Sequence, residues 1–238
     1  MRLWKWTIWM GLCLGYMSGE AQAYPVRFRI LSTKRISHEL FALAAKTIVI
    51  RNPHGLIKLV ALEPDTQSFI KLTGIAPSVS RVGPDAPVGN LIVKENHADR
   101  VEISVEFEGW VPAAERKAAV SVQVPADLLA HGAVITESGD IEISGFSTGP
   151  QSPRTMLALT DSGKIVTVGN EAAGGIYLVG QPQVKVIASQ ETPGTPRHLF
   201  VRPGGKRCSE IAETEARGNV LPPRAIQHLE TIFGPLGL

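Results

Sequence analysis

The chain has 238 residues, with 24 Lys and Arg against 22 Asp and Glu and a net charge of +2. So even a balance offers no field for nucleic acid or an anionic membrane surface. Its two cysteines, Cys13 and Cys208, rule out a disulfide framework. Arg2 and Lys5 precede an apolar run, Thr7 to Met17, and Ala21-Gln22-Ala23 follows as a small-x-small cleavage signal. This layout predicts a secretory signal peptide over residues 1–23, because the apolar run is shorter than the roughly 20 residues of a membrane span. Cleavage between Ala23 and Tyr24 leaves 22 basic and 21 acidic residues, a single cysteine and a single tryptophan, Trp110. Cys208 is then read as a free or buried thiol.

The remaining chain reads as short strands between glycine, proline and Asp/Asn turns. Residues 24–43 are expected to supply N-terminal strands that cover one end of the fold, first Val26 to Ile30 and then Ser37 onward. Thr47 to Arg51 and Leu56 to Leu62 flank the turn Asn52-Pro53-His54-Gly55, and Ser68 to Leu72 follows a second turn. Ile75 to Gly89, with three prolines, is predicted to be a loop. Val101, Ile103, Val105 and Phe107 alternate with Glu102, Ser104, Glu106 and Glu108, so one face of that strand is apolar and the other acidic. Val120, Val122 and Val124 repeat the alternation before Pro125. A second loop is expected over Gly145 to Pro153, and an irregular region over 190–238. Within that region Pro222-Pro223 opens a helix, and Ile226, Leu229, Ile232 and Phe233 share one face before Gly234-Pro235 ends it.

One phrase recurs: Gly-x-[Ile/Val/Leu]-x-[apolar or Thr]. It occurs as Gly139-Asp140-Ile141-Glu-Ile143 and Gly163-Lys-Ile165-Val-Thr167, 24 residues apart. Gly55-Leu-Ile57, Gly174-Gly-Ile176, Gly132-Ala-Val134 and Gly89-Asn-Leu91 also fit it. Glycine accepts positive φ without steric cost, so it can turn the chain sharply into each new strand. The next residue then faces out and the one after faces in. One such unit cannot bury its apolar face alone, but a stack of them can. The phrase therefore predicts an all-β, single-domain β-solenoid or β-roll, with Gly55, Gly139, Asp140, Gly163 and Gly174 as structural turn residues. Ile165 and Thr167 are placed facing inward, in the register of Ile141 and Ile143. The C-terminal helix near 223–233 is expected to cap one open end of the stack.

No catalytic constellation is recognised. Ser138-Gly139-Asp140 and Asp161-Ser162-Gly163 hold a hydroxyl and a carboxylate, but those side chains suit a turn. The six histidines form no metal-ligand pair, and no calcium repeat, nucleophile elbow or phosphate loop is present. His54 belongs to a turn. Glu102, Glu106 and Glu108 read as the wet side of a half-buried strand. No metal or cofactor is expected.

The segments TIVIRNPHGLIKLVAL (47–62), VEISVEFEG (101–109), VSVQVPADL (120–128), VITESGDIEISG (134–145) and LALTDSGKIVTVG (157–169) follow one another in order. This series resembles the bacterial putative-adhesin family over roughly Ala44 to Ser189, chiefly through Ser-Gly-Asp-Ile and the Val-Pro-x-x-Leu segment before it. The resemblance implies an exported or envelope-associated β-solenoid of residues 44–189, with no catalytic residues and no cofactor. The expectation is a non-catalytic protein of the periplasm or cell envelope, or secreted, with a structural or adhesive role toward an envelope protein or glycan. Two alternatives stay open: a periplasmic lipid or glycan carrier, and a small β-helix polysaccharide-active enzyme.

Overall fold

A computed structural model describes residues 26–31, 36–39, 47–63, 69–73, 87–96, 100–146, 155–170, 175–181, 184–189, 197–201 and 219–236. The expected signal peptide, Cys208, Gly174 and most of both expected loops lie outside the described residues.

The strands in chain order are β1 (Val26–Leu31), β2 (Ile36–Glu39), β3 (Thr47–Arg51), β4 (Ile57–Leu62), β5 (Phe69–Thr73), β6 (Pro87–Asn96), β7 (Arg100–Phe107) and β8 (Ala119–Pro125). They continue with β9 (His131–Ser138), β10 (Ile141–Ser144), β11 (Thr155–Ser162), β12 (Lys164–Val168), β13 (Ile176–Gly180), β14 (Lys185–Ser189), β15 (Arg197–Val201) and β16 (Asn219–Val220). One helix, α1 (Pro223–Phe233), follows. The class is all-β, in two sheets.

The nine-stranded sheet has the order β1-β6-β7-β3-β9-β11-β13-β15-β16, and the seven-stranded sheet the order β14-β12-β10-β4-β8-β5-β2. From β9 to β14 the chain alternates between them, and each strand pairs parallel with its counterpart of the previous circuit. Val120, Ile57, Ile141, Ile165 and Val186 form one rung across the seven-stranded sheet, and Val122, Leu59, Ile143 and Thr167 form the next inward-facing rung. In the other sheet Val101, Ile48, Gly132, Met156 and Ile176 share a rung. Strand side chains alternate between faces, so parallel, unshifted pairing puts every inward residue on inward residues. Ile57, Leu59, Ile141 and Ile165 are accordingly fully buried. Val166 and Val168 are only half-buried, so the register read from the Gly139 phrase is the observed one.

The order of the circuits differs from simple succession. β3–β4 lies between β7–β8 and β9–β10, so the segment from β5 to β8 is built outward on one side and the chain then returns to β3. That side is flanked by antiparallel strands: β6 and β1 beside β7, β5 and β2 beside β8. Pro87, Val88 and Gly89, expected in a loop, open β6, where proline is tolerated as the first strand residue. At the other end, β15 continues the parallel ladder on β13 past Ser189, into the region expected to be irregular.

The helix forms where proline punctuation placed it, but it does not cap the stack. Leu229 and Phe233 are buried with Leu221 and Leu236 against Val49, Ala133, Leu157, Leu159 and Val179, on the outer face of the nine-stranded sheet. The reason is in those strands. Val49, Ala133 and Leu157 are outward-facing yet apolar, and β11 is buried on both faces over Thr155 to Thr160. An apolar outer face of that kind needs a cover, and α1 supplies it. Arg100 Nη2 donates to Phe233 O, the last helical carbonyl, at 2.5 Å, and Arg51 Nη2 to Pro235 O, two residues beyond, at 2.7 Å, placing two cations at the C-terminal end of the helix.

The two-sided burial makes a ranked prediction. Leu59→Ala, between the sheets, should cost about 3 kcal/mol in urea unfolding, whereas Val166→Ala on the half-exposed face should cost under about 1 kcal/mol. Arg100→Gln should lower stability by about 1–3 kcal/mol, because it leaves a helix-terminal carbonyl without its cation. It should also speed amide exchange in α1 while leaving β10 and β12 protected.

Candidate functional site

Polar groups collect where the chain turns into the seven-stranded sheet. Three expected turn residues, Gly55, Gly139 and Gly163, meet there in one column. Gly55 N donates to Ser138 O at 2.8 Å, Gly139 N to Ser162 O at 2.9 Å, and Ala118 N to His54 O at 3.0 Å. Gly55 and Gly163 adopt φ of +116° and +118°, as the repeated phrase predicts. Gly139 does not share that conformation, and its requirement is space: a Cβ there would lie 1.9 Å from Gly55 O. The same crowding acts along the column, where Cβ atoms at Gly55 and Gly163 would meet Ala118 O at 2.1 Å and Gly139 O at 2.3 Å.

The other matches to the phrase occupy other places. Gly89 and Gly132 lie within β6 and β9, and Gly175, at φ +96°, precedes β13 of the opposite sheet. A turn followed by a strand occurs on both sides of each circuit, so the phrase alone does not distinguish them.

Buried polar side chains tie the circuits at both ends of the seven-stranded sheet, Asn52 beside the glycine column and Asn170 where β10 and β12 end. Asn52 Nδ2 donates to Ala118 O at 2.8 Å, and Asn170 Nδ2 to Ile143 O at 2.7 Å, both from fully buried positions. Thr160 Oγ1 donates toward Ser162 O at 2.7 Å. Asp140 accepts from Lys164 N at 3.0 Å and lies 3.5 Å from Lys164 Nζ, so its carboxylate bridges two successive circuits.

Beside the column is an open groove of about 410 Å³. One wall is formed by His54, Gly55 and Leu56 with Ser138, Gly139 and Asp140; the other by Ala113, Ala114, Arg116 and Lys117. His54 Nδ1 and Ser138 Oγ share a hydrogen bond of 2.8 Å across 84 residues of sequence. The second wall belongs to the segment between β7 and β8, which holds its own shape. Val111 N donates to Glu108 O and Glu115 N to Pro112 O, and Arg116 Nε donates to Val111 O at 2.9 Å.

The sequence does not announce this groove. His54 and Ser138 could have been paired by aligning the phrase one residue further back, where His54, Ser138 and Ser162 precede Gly55, Gly139 and Gly163. Arg116 and Lys117 carry no such signal, because their segment is not part of the repeat.

The acidic residues of β7 separate. Glu106 is exposed, Glu108 accepts from Asn90 Nδ2 at 3.4 Å, and Glu102 pairs with Arg100 at 2.6 Å. Burial pushes Arg51 below its ordinary arginine value, nearby Glu102 opposes that shift, and Arg100 adds to it. This charged set sits at the end of α1 and has a holding role there. Among the described residues no group of three or more His, Cys, Asp or Glu could hold a metal. No described helix is long and apolar enough to cross a membrane.

Gly139→Ala should therefore destabilise by about 2 kcal/mol or more, as overpacking against backbone does. Gly109→Ala, with open space around its Cβ position, should shift stability by less than about 0.5 kcal/mol in the same thermal or urea assay.

Comparison with known proteins gives little further. No family model matches the chain, and no curated protein matches it. Among solved structures it is similar to a putative cell adhesion protein from Clostridium sporogenes, at 8% identity and a TM-score of 0.41, over 71% of each chain. A likeness that slight carries neither family nor function across.

Proposed function

We propose that the chain is an exported, non-catalytic β-solenoid whose work is structural or adhesive, presenting a regular β surface to an envelope protein or glycan. The observation that carries this reading is the parallel, unshifted stacking of rungs from β8 through β4, β10 and β12 to β14. Repeating circuits of this kind extend a surface whose outer side chains can vary while the inner ones stay apolar. The residues of the leader support export.

The non-catalytic part rests on the groove. His54 and Ser138 touch, but the carboxylate beside them, Asp140, is engaged by Lys164 rather than orienting the imidazole. The backbone N–H groups of Gly55 and Gly139, which could have stabilised an oxyanion, donate to the next circuit. A nucleophile with neither an oriented base nor an oxyanion site lacks the parts acyl transfer needs. The inward-facing apolar residues between the sheets are filled against one another, which disfavours the lipid-carrier alternative.

Expression of the full chain in a bacterial host tests both halves. The expected product is periplasmic, with a mass matching a chain that begins at Tyr24, and it hydrolyses p-nitrophenyl esters no faster than its Ser138→Ala variant. An ester-hydrolysis rate that Ser138→Ala abolishes would overturn the non-catalytic reading. A cytosolic product that keeps residues 1–23 would overturn export.

A further inference from the structure

The groove beside the glycine column contains cationic groups that the fold uses only in part. Arg116 Nε is committed to Val111 O, which fixes the side chain's base, while its terminal nitrogens have no partner among the described residues. Lys117 is exposed and likewise makes no ion pair among the described residues. Opposite them stand His54 and Ser138, already hydrogen-bonded to each other and so held in place. The remaining lining is mostly small: Gly55, Gly139, Ala113 and Ala114. The one anion in the lining, Asp140, is compensated by Lys164. Glu115 and Glu137 are chain neighbours of lining residues but do not line the groove.

We infer that this groove binds the oxyanion group, carboxylate or phosphate, of a small polar molecule, with Arg116 and Lys117 as the charged contacts and the His54–Ser138 pair as the opposing hydrogen-bond partner. Guanidinium groups suit carboxylate and phosphate because their parallel N–H donors match two oxygens at once. The volume lies within the range of ligand pockets, about 300–1,000 Å³. This rests on the reading of the chain as a binding protein and adds the ligand class and its place.

The test uses glucuronate, inorganic phosphate and glucose as probes of the protein recovered from expressing cells, followed by calorimetry and by the NMR resonances of the His54 imidazole. Glucuronate or phosphate should bind and shift His54, and added salt should weaken the binding. The Arg116→Gln/Lys117→Gln double variant should lose about tenfold or more in affinity, as expected for charge-assisted bonds. Arg224→Gln, on the exposed start of α1, should bind like the parent. Binding by phosphate alone identifies a phosphate-bearing ligand, and binding by glucuronate alone an acidic sugar; either supports the site. Glucose binding as tightly as glucuronate, double-variant affinity equal to the parent's, or no binding by either anion overturns it. Those failures leave the solenoid reading standing, whereas Ser138-dependent turnover of an ester would strike that reading instead.

Discussion

Everything in this fold depends on backbones that touch. At the turn into the seven-stranded sheet, Gly55, Gly139 and Gly163 stand so close that a single methyl group on any of them would overlap a carbonyl of the adjacent circuit. That closeness keeps successive circuits in one register. Register in turn decides which side chains face inward, because a slip of one residue would carry every inward Ile and Val to the outside. The hydrophobic stripe between the sheets is thus a consequence of the turn geometry as much as its cause.

The buried polar residues fit the same picture. Asn52 and Asn170 lie just beyond the ends of β3 and β12 and Thr160 near the end of β11, beside backbone carbonyls where the chain leaves the ladder; the one Thr160 reaches, Ser162 O, also accepts from Gly139 N. Each donates to such a carbonyl on its own or another segment. An unpaired buried carbonyl costs roughly 1–3 kcal/mol, so these side chains let the chain turn inside a packed body. The salt bridges at the surface, Lys58 with Glu142 and Lys164 with Asp140, join neighbouring circuits but are half-exposed and add modestly to stability.

The outer face of the nine-stranded sheet follows a different rule. Along β3, β9 and β11 both faces are apolar, and the outer one is closed by a helix that arrives from far along the chain. Arg51 and Arg100 hold the end of that helix, and Glu102 balances Arg100. The arginine pair thus joins a strand laid down early to the last described residues. The groove and this latch lie on different elements and use different cations.

Much of this was legible in the residues. Alternation in β7 and β8, the inward register of Ile141, Ile143 and Ile165, and the bounds of α1 all follow from local rules: side-chain period, glycine and proline placement, and the apolar face of a helix. Four things were decided only by the tertiary structure. The circuit order was hidden because β3 carries no mark saying that β9, rather than the next strand in sequence, will lie beside it. The helix's apolar face shows that it must be covered, not by what, so local rules point it to an open end rather than to the outer face of the nine-stranded sheet. The repeated phrase suggests positive φ at Gly139, yet that position needs glycine because Gly55 is pressed against it. The groove belongs with these, since His54, Ser138, Arg116 and Lys117 come from three separate segments. Local sequence determines which face of each strand is apolar and where the chain turns; which faces and turns meet is set by long-range packing, through contacts that no short stretch of the chain contains.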